Sequence, residues 1–218
     1  MSTFFRYALG LCLLFSACHT DDSVEASGPA AGFSGTLPGD LSINPTTVTS
    51  IQGLVSSANS VDGSFVSHYL ETRDTSGVGI ALELPYVQYS EAYAARDSAE
   101  VAQAAAEYYS YGLVKDQLSV GEKPILASPA DDPTSSFAVH VTDNRRYFSY
   151  TAYGAEQSGS YLRVRELIEG VETDPVRGDV RTLVAVIDLR VNVSLNVDNG
   201  YGPPERLEGT LRLKYDDR

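Results

Sequence analysis

Residues 182–197 read TLVAVIDLRVNVSLNV and residues 207–215 read LEGTLRLKY. In the first run Leu183, Ala185, Ile187, Leu189, Val191, Val193, Leu195 and Val197 are all apolar, and the positions between them turn polar from Asp188 onward. In the second, Leu207, Gly209, Leu211, Leu213 and Tyr215 alternate with Glu208, Thr210, Arg212 and Lys214. A period of two is the strand period, because successive side chains of an extended chain point to opposite faces. Asn199-Gly200 offers the turn, so the two runs predict a β-hairpin with one face covered by the rest of the protein. Drawn straight from Asp179 to Val197, the first strand would reach roughly 60 Å at about 3.3 Å per residue. A bulge or bend is therefore expected near Asp188, letting the strand serve two sheets.

The same period recurs upstream. Thr46 to Ile51 is rich in β-branched residues. Residues 64–72 and 78–84 predict a hairpin around Asp74-Thr75-Ser76-Gly77, stopped by Pro85. Phe137, Val139 and Val141 mark a strand, 146–152 its return, and 161–167 another. Residues 169–178 and 116–134 predict loops. Between the β segments, residues 90–111 change character: rich in Ala and Glu, free of Gly and Pro, with capping signals at Ser90 and Asp97 and a stop at Gly112. The pattern predicts a mainly β fold, a single antiparallel β-sandwich or barrel of about eight strands with one inserted α-helix at about residues 90–111.

The N-terminus reads as an address. Arg6 precedes the apolar run from Tyr7 to Phe15, and Ser16-Ala17-Cys18 follows it. The run is too short to span a bilayer but has the length of a secretory core. Small residues followed by cysteine resemble the lipobox of bacterial lipoproteins, with Phe15 standing where that family usually has Leu. The resemblance implies a signal peptide over 1–17 and a lipid on Cys18, which anchors the chain to a membrane; two or three acyl chains hold where one does not. His19, rather than Asp, after the cysteine favours the outer membrane within that family. Asp21-Asp22 resemble the acidic export tag of surface-displayed lipoproteins, though an acidic pair also suits a solvated tether. Residues 18–40 are then lipidated cysteine and flexible linker, rich in Ser, Gly, Ala and Pro, and 41–218 a β-rich globular domain.

Composition excludes several classes. The net charge of −13 and the absence of a Lys/Arg cluster argue against nucleic acid and against anionic headgroups as partners. The two cysteines, Cys12 and Cys18, both precede the domain, so it holds no internal disulfide and no thiolate metal site. No phosphate-binding loop, dinucleotide fingerprint or serine-hydrolase elbow occurs, and no cofactor is implied. His68, His140, Glu71 and Asp143 could supply zinc donors on paper, but their spacing carries no signature. Asp131-Asp132 and Asp198-Asn199 could offer oxygens to calcium without resembling an EF-hand. Asp188 points away from the apolar face by its phase.

Tyrosine is abundant, at 14 residues. Tyr108, Tyr109, Tyr111, Tyr150 and Tyr153 would make a binding surface if exposed, since the ring is rigid and amphipathic. The competing use is core filling in a domain without Trp or Met, and composition favours it. Three functions follow as expectations. The first is a non-enzymatic module that binds an envelope protein or glycan. The second is a hydrolase of envelope polymer or glycan using spatially paired acids. The third is a structural component whose 182–197 edge accepts a neighbour's strand.

Overall fold

The computed structural model describes residues 31–59, 63–89, 110–128, 130–143, 148–197 and 200–217. The strands are β1 Gly32–Thr36, β2 Thr49–Asn59, β3 Gly63–Arg73, β4 Val78–Glu83, β5 Val87–Tyr89, β6 Gly121–Glu122, β7 Ala138–Asp143, β8 Phe148–Thr151, β9 Tyr161–Asp174, β10 Gly178–Val197 and β11 Gly200–Asp216, with one described helix, α1 Tyr111–Gln117. The class is as expected, mainly β and antiparallel, but the strands among the described residues number 11. β1 falls inside the segment read as tether: Gly32-Phe33-Ser34-Gly35-Thr36 looks like linker by composition yet pairs along β11 from Arg212 to Glu208. Residues 169–174, read as loop, continue β9 to Asp174.

β10 organises the sheet. From Thr182 to Val197 it pairs with β11. On its other side residues 178–190 pair with β9, and Ser194 and Leu195 pair with β8. The register against β9 slips between Val186 and Ile187, where Arg165 is the extra residue, within two residues of Asp188. A bulge bends its strand and sharpens the twist; the bulged strand here is β9, and beyond Arg190 β10 leaves β9 for β8. From β8 the sheet continues through β7, β4 and β3 to β2.

That path brings β2 back beside β11. Seven strands, β11, β10, β8, β7, β4, β3 and β2, lie along it, each antiparallel to the next. An odd ring cannot be antiparallel throughout, so β2 and β11 meet running the same way. No backbone ladder joins them; side chains do. Ser50 Oγ donates to the Lys214 carbonyl at 3.0 Å. The Gln52 amide donates to the Asp216 carbonyl and accepts from the Asp216 N–H, both at 2.8 Å. The sheet is thus open by its ladder and folds over on itself like a sandwich.

The core lies between the two walls. Leu183, Ala185, Ile187, Leu189, Val191 and Val193 of β10 are buried in one cluster with Leu211, Leu213, Leu70, Ile80, Leu82, Val139 and Val141. Each aliphatic side chain so buried contributes about 1.5–3 kcal/mol. α1 adds Tyr111, Val114 and Leu118, spaced along one helical face. Its N-cap is Ser110, whose Oγ accepts from Leu113 N. Gly112 therefore sits in a first turn, where a helix terminus was expected. Residues 90–109, which carry the rest of the expected helix, lie outside the described residues.

Candidate functional site

Three places on the body gather polar or unpaired groups. The first is the face of β3, β4 and β7 that points away from the core. Leu70, Leu82 and Val139 point inward, so their neighbours Tyr69, Glu83 and His140 face outward together, set side by side by the registers Tyr69↔Glu83 and Ala81↔His140. Glu83 is 9% exposed. Its carboxylate accepts from Ser67 Oγ, and His140 Nε2 lies 3.5 Å away. Burial disfavours the charged form, but hydrogen bonds from His140, Ser67 and Tyr86 outweigh it and hold Glu83 below its ordinary value. Tyr86 answers in the other direction: burial and the adjacent carboxylate push it up to about 12.

This is not a nucleophile relay. A relay needs serine bonded to histidine and histidine to acid; here both serine and histidine meet the acid, and Ser67 is 1% exposed. Beside it Glu71 is gripped by Arg73 through Nε at 2.8 Å and Nη2 at 2.7 Å, and accepts from Thr142 Oγ1 at 3.2 Å. Gly79 makes room: a Cβ there would stand 2.3 Å from Glu71 Oε1. His68 is buried edge-on to Tyr215, with ring centroids 5.3 Å apart. His68, His140, Glu71 and Asp143 therefore sit in separate local arrangements. Among the described residues no group of three His, Cys, Asp or Glu is placed to hold a metal ion.

The second place is a cavity of about 300 Å³ lined by Asp40, Ser42, Asn44, Asp74, Ser76 and Asp143 among others. Asp74 accepts from Asn44 N at 2.9 Å, Ser76 Oγ at 2.6 Å and Val78 N at 3.1 Å. Burial opposes its ionisation, yet these bonds hold its pKa below the ordinary value. They pin the segment before β2 to the β3–β4 turn. Acid hydrolysis by paired carboxyls needs one that keeps its proton. Glu83, Asp74, Asp131, Asp132, Glu169, Asp174 and Glu208 are all displaced the other way. Asp131 and Asp132 spend their oxygens on turns, accepting from Ala127 N and Ser128 N at 2.7 Å and from Thr134 N at 2.9 Å. Asp198 and Asn199 lie outside the described residues, as do Cys18, Asp21 and Asp22.

The tyrosines divide. Tyr111 and Tyr150 are buried in the core, and the Tyr111 hydroxyl donates to Glu169 at 3.1 Å. Tyr153 is half-buried beside Tyr201, centroids 6.2 Å apart, and Tyr201 is 44% exposed. The Tyr201 ring lies on Gly154, a residue at φ +83° that no side chain could occupy without meeting the ring at 2.4 Å. Tyr108 and Tyr109 lie outside the described residues.

The third place is an edge. The expected edge on the 182–197 strand is not there, because β10 pairs on both sides. The open edge belongs to β9. Beyond the short match of Gly121 and Glu122 to Val164 and Arg163, no described strand pairs with its outer side. The phase of its backbone can be worked out. Asp217 N donates to the Arg181 carbonyl, so Arg181 faces β11 and its neighbours Val180 and Thr182 face β9. Their partners Glu172 and Gly170, and likewise Ile168 and Glu166, face β10. Leu167, Glu169, Val171 and Thr173 therefore turn their N–H and C=O groups outward. Past Thr182 the β9–β10 ribbon also outruns β11, and Val171 and Val176 on it are 65% and 92% exposed. Nothing in the strand pattern of 161–167 alone signals this edge, since it depends on which neighbours β9 lacks.

Comparison with protein-family profiles, curated proteins and solved structures found no match to the chain.

Proposed function

We propose that the chain is a lipoprotein held at the outer membrane through Cys18, whose β-sandwich is a binding module for an envelope protein. The observation that carries the binding half is the open outer edge of β9, with the backbone groups of Leu167, Glu169, Val171 and Thr173 directed away from the body. Such an edge offers main-chain hydrogen bonds to any extended partner. The anchoring half rests on the lipobox-like run ending at Cys18. Between that cysteine and β1, residues 19–31 could stretch to at most about 45 Å, which keeps the body close to the membrane it is tied to.

The anchor is tested by metabolic labelling with a radioactive fatty acid and by membrane fractionation. The native protein takes up label and stays with the outer membrane, whereas Cys18→Ser is unlabelled and leaves it. Label on the Cys18→Ser protein, or an unchanged membrane fraction, contradicts the anchor. Facing is tested by protease shaving of intact cells. Outward display predicts cleavage of the native protein and protection of Asp21→Ala/Asp22→Ala; protection of both places the body in the periplasm.

A second reading, a glycan partner, is favoured by the Tyr153–Tyr201 pair, whose rings meet at 60° with Tyr201 presented to solvent. Loss of binding on a glycan array with Tyr201→Ala, and not with changes at β9, selects this reading over the first.

A further inference from the structure

We infer that the outer edge of β9, from Glu166 to Asp174, receives a basic, extended segment of another polypeptide as an added strand. The inference rests on the binding-module reading above and names the partner's chemistry.

Two features meet on this stretch. One is the rhythm of outward backbone groups at Leu167, Glu169, Val171 and Thr173, a template that only another extended chain satisfies in register. The other is charge. The stretch carries Glu166, Glu169, Glu172 and Asp174, flanked by the single base Arg165, on a chain of net charge −13. Lys115 meets Glu169 at 2.6 Å, Lys214 meets Glu172 at 2.7 Å and Arg177 meets Asp174 at 3.1 Å. These are surface pairs, each worth about 0–1 kcal/mol, so an incoming lysine or arginine can share or replace them. The long-range field of the acidic chain steers the same kind of partner.

Charge also removes the nearer occupants. A second copy would set Glu166, Glu169 and Glu172 against their own kind. The segment 90–109 carries Glu91, Asp97, Glu100 and Glu107 against Arg96, and the segment after Cys18 carries Asp21, Asp22 and Glu25. Like charges directly opposite on adjacent strands destabilise pairing. An external basic strand is the occupant that gains on both counts.

The test titrates the full-length protein in detergent with a labelled peptide of alternating lysine and valine, reading fluorescence anisotropy. Its controls are the glutamate–valine peptide and a lysine–valine peptide interrupted by proline. Binding of the first alone, weakening with salt, is expected. Val171→Pro deletes one outward N–H and spares the ladder to β10, which uses Gly170 and Glu172. It should weaken binding about tenfold. Glu166→Lys/Glu172→Lys should shift preference to the acidic peptide. Amide exchange at Gly170 and Glu172 reports that each variant remains folded. Equal binding of the acidic and basic peptides, or binding indifferent to both variants, overturns the inference. So does an absence of binding while the Cys18 label and membrane fraction are intact; the anchoring half of the reading above survives that result and fails on its own fractionation test.

Discussion

Gln52 does with one side chain what a backbone ladder cannot do here. On β11 the even residues face away from β10. Arg212 spends its groups on β1, Lys214 its carbonyl on Ser50, and Asp216 both its groups on Gln52. Gln52→Ala leaves the Asp216 N–H and C=O half-buried without that partner and should cost about 1–3 kcal/mol in denaturant unfolding. Gln52→Glu accepts but cannot donate, and should fall between the two. Glu83 contributes to the acid limb of stability. Its folded pKa lies below the ordinary 4.5, so its contribution is complete above that value and is lost as pH falls through the folded one. Glu83→Gln should flatten the acid side of a stability–pH profile. Tyr86 works at the other end: with its folded pKa raised from 10.0 to about 12, its contribution holds below 10.0 and fades as pH rises toward 12. A tyrosinate absorbance titration should show a late phenol that Tyr86→Phe removes, beside the raised Tyr111 that it leaves in place.

At the scale of elements, α1 and β1 show where local pattern is a weak guide. Tyr111, Val114 and Leu118 have helical spacing, but the preceding Ala-rich segment draws attention toward an earlier helix, and Gly112 imitates a stop. Ser110 decides the start by capping Leu113 N. Ser110→Ala should cost about 0.5–2 kcal/mol by chemical denaturation. β1 carries so much glycine and serine that only its pairing to β11 reveals it as a strand. The hairpins β3–β4 and β10–β11 were legible because alternation and turn residues are both local; the bend expected in the long strand near Asp188 is instead a slip whose extra residue, Arg165, belongs to β9, and the β10–β11 ladder shifts between Ser194 and Asn196. Ile187, on the buried side of that slip, should lose about 2–5 kcal/mol on truncation to alanine.

At the scale of the molecule, sequence order says little about which strands become neighbours. Ser67, Glu83, Tyr86 and His140 come together because β3, β4 and β7 stack in that order, and none of their spacings announces a cluster. The same holds for the edge. The run 183–197 has the strongest strand signal and was the natural candidate for an exposed edge, yet strength of pattern reflects burial, and β10 is paired on both sides. β9, with acids at Glu166, Glu169 and Glu172, has the weaker pattern and the open side. The chain's parity leaves β2 and β11 parallel and bridged by side chains, so both rims of the fold are handled differently: one fastened by Ser50 and Gln52, the other left open.

Residue-resolved amide exchange along β9 in the free, full-length protein tests the open edge most directly. The account predicts two interleaved populations: Ile168, Gly170 and Glu172 slow, because their N–H groups bond to β10, and Leu167, Glu169, Val171 and Thr173 fast, because theirs face outward. Slow exchange in both sets would mean the protein covers this edge itself, and the binding module proposed here would lose the surface it rests on.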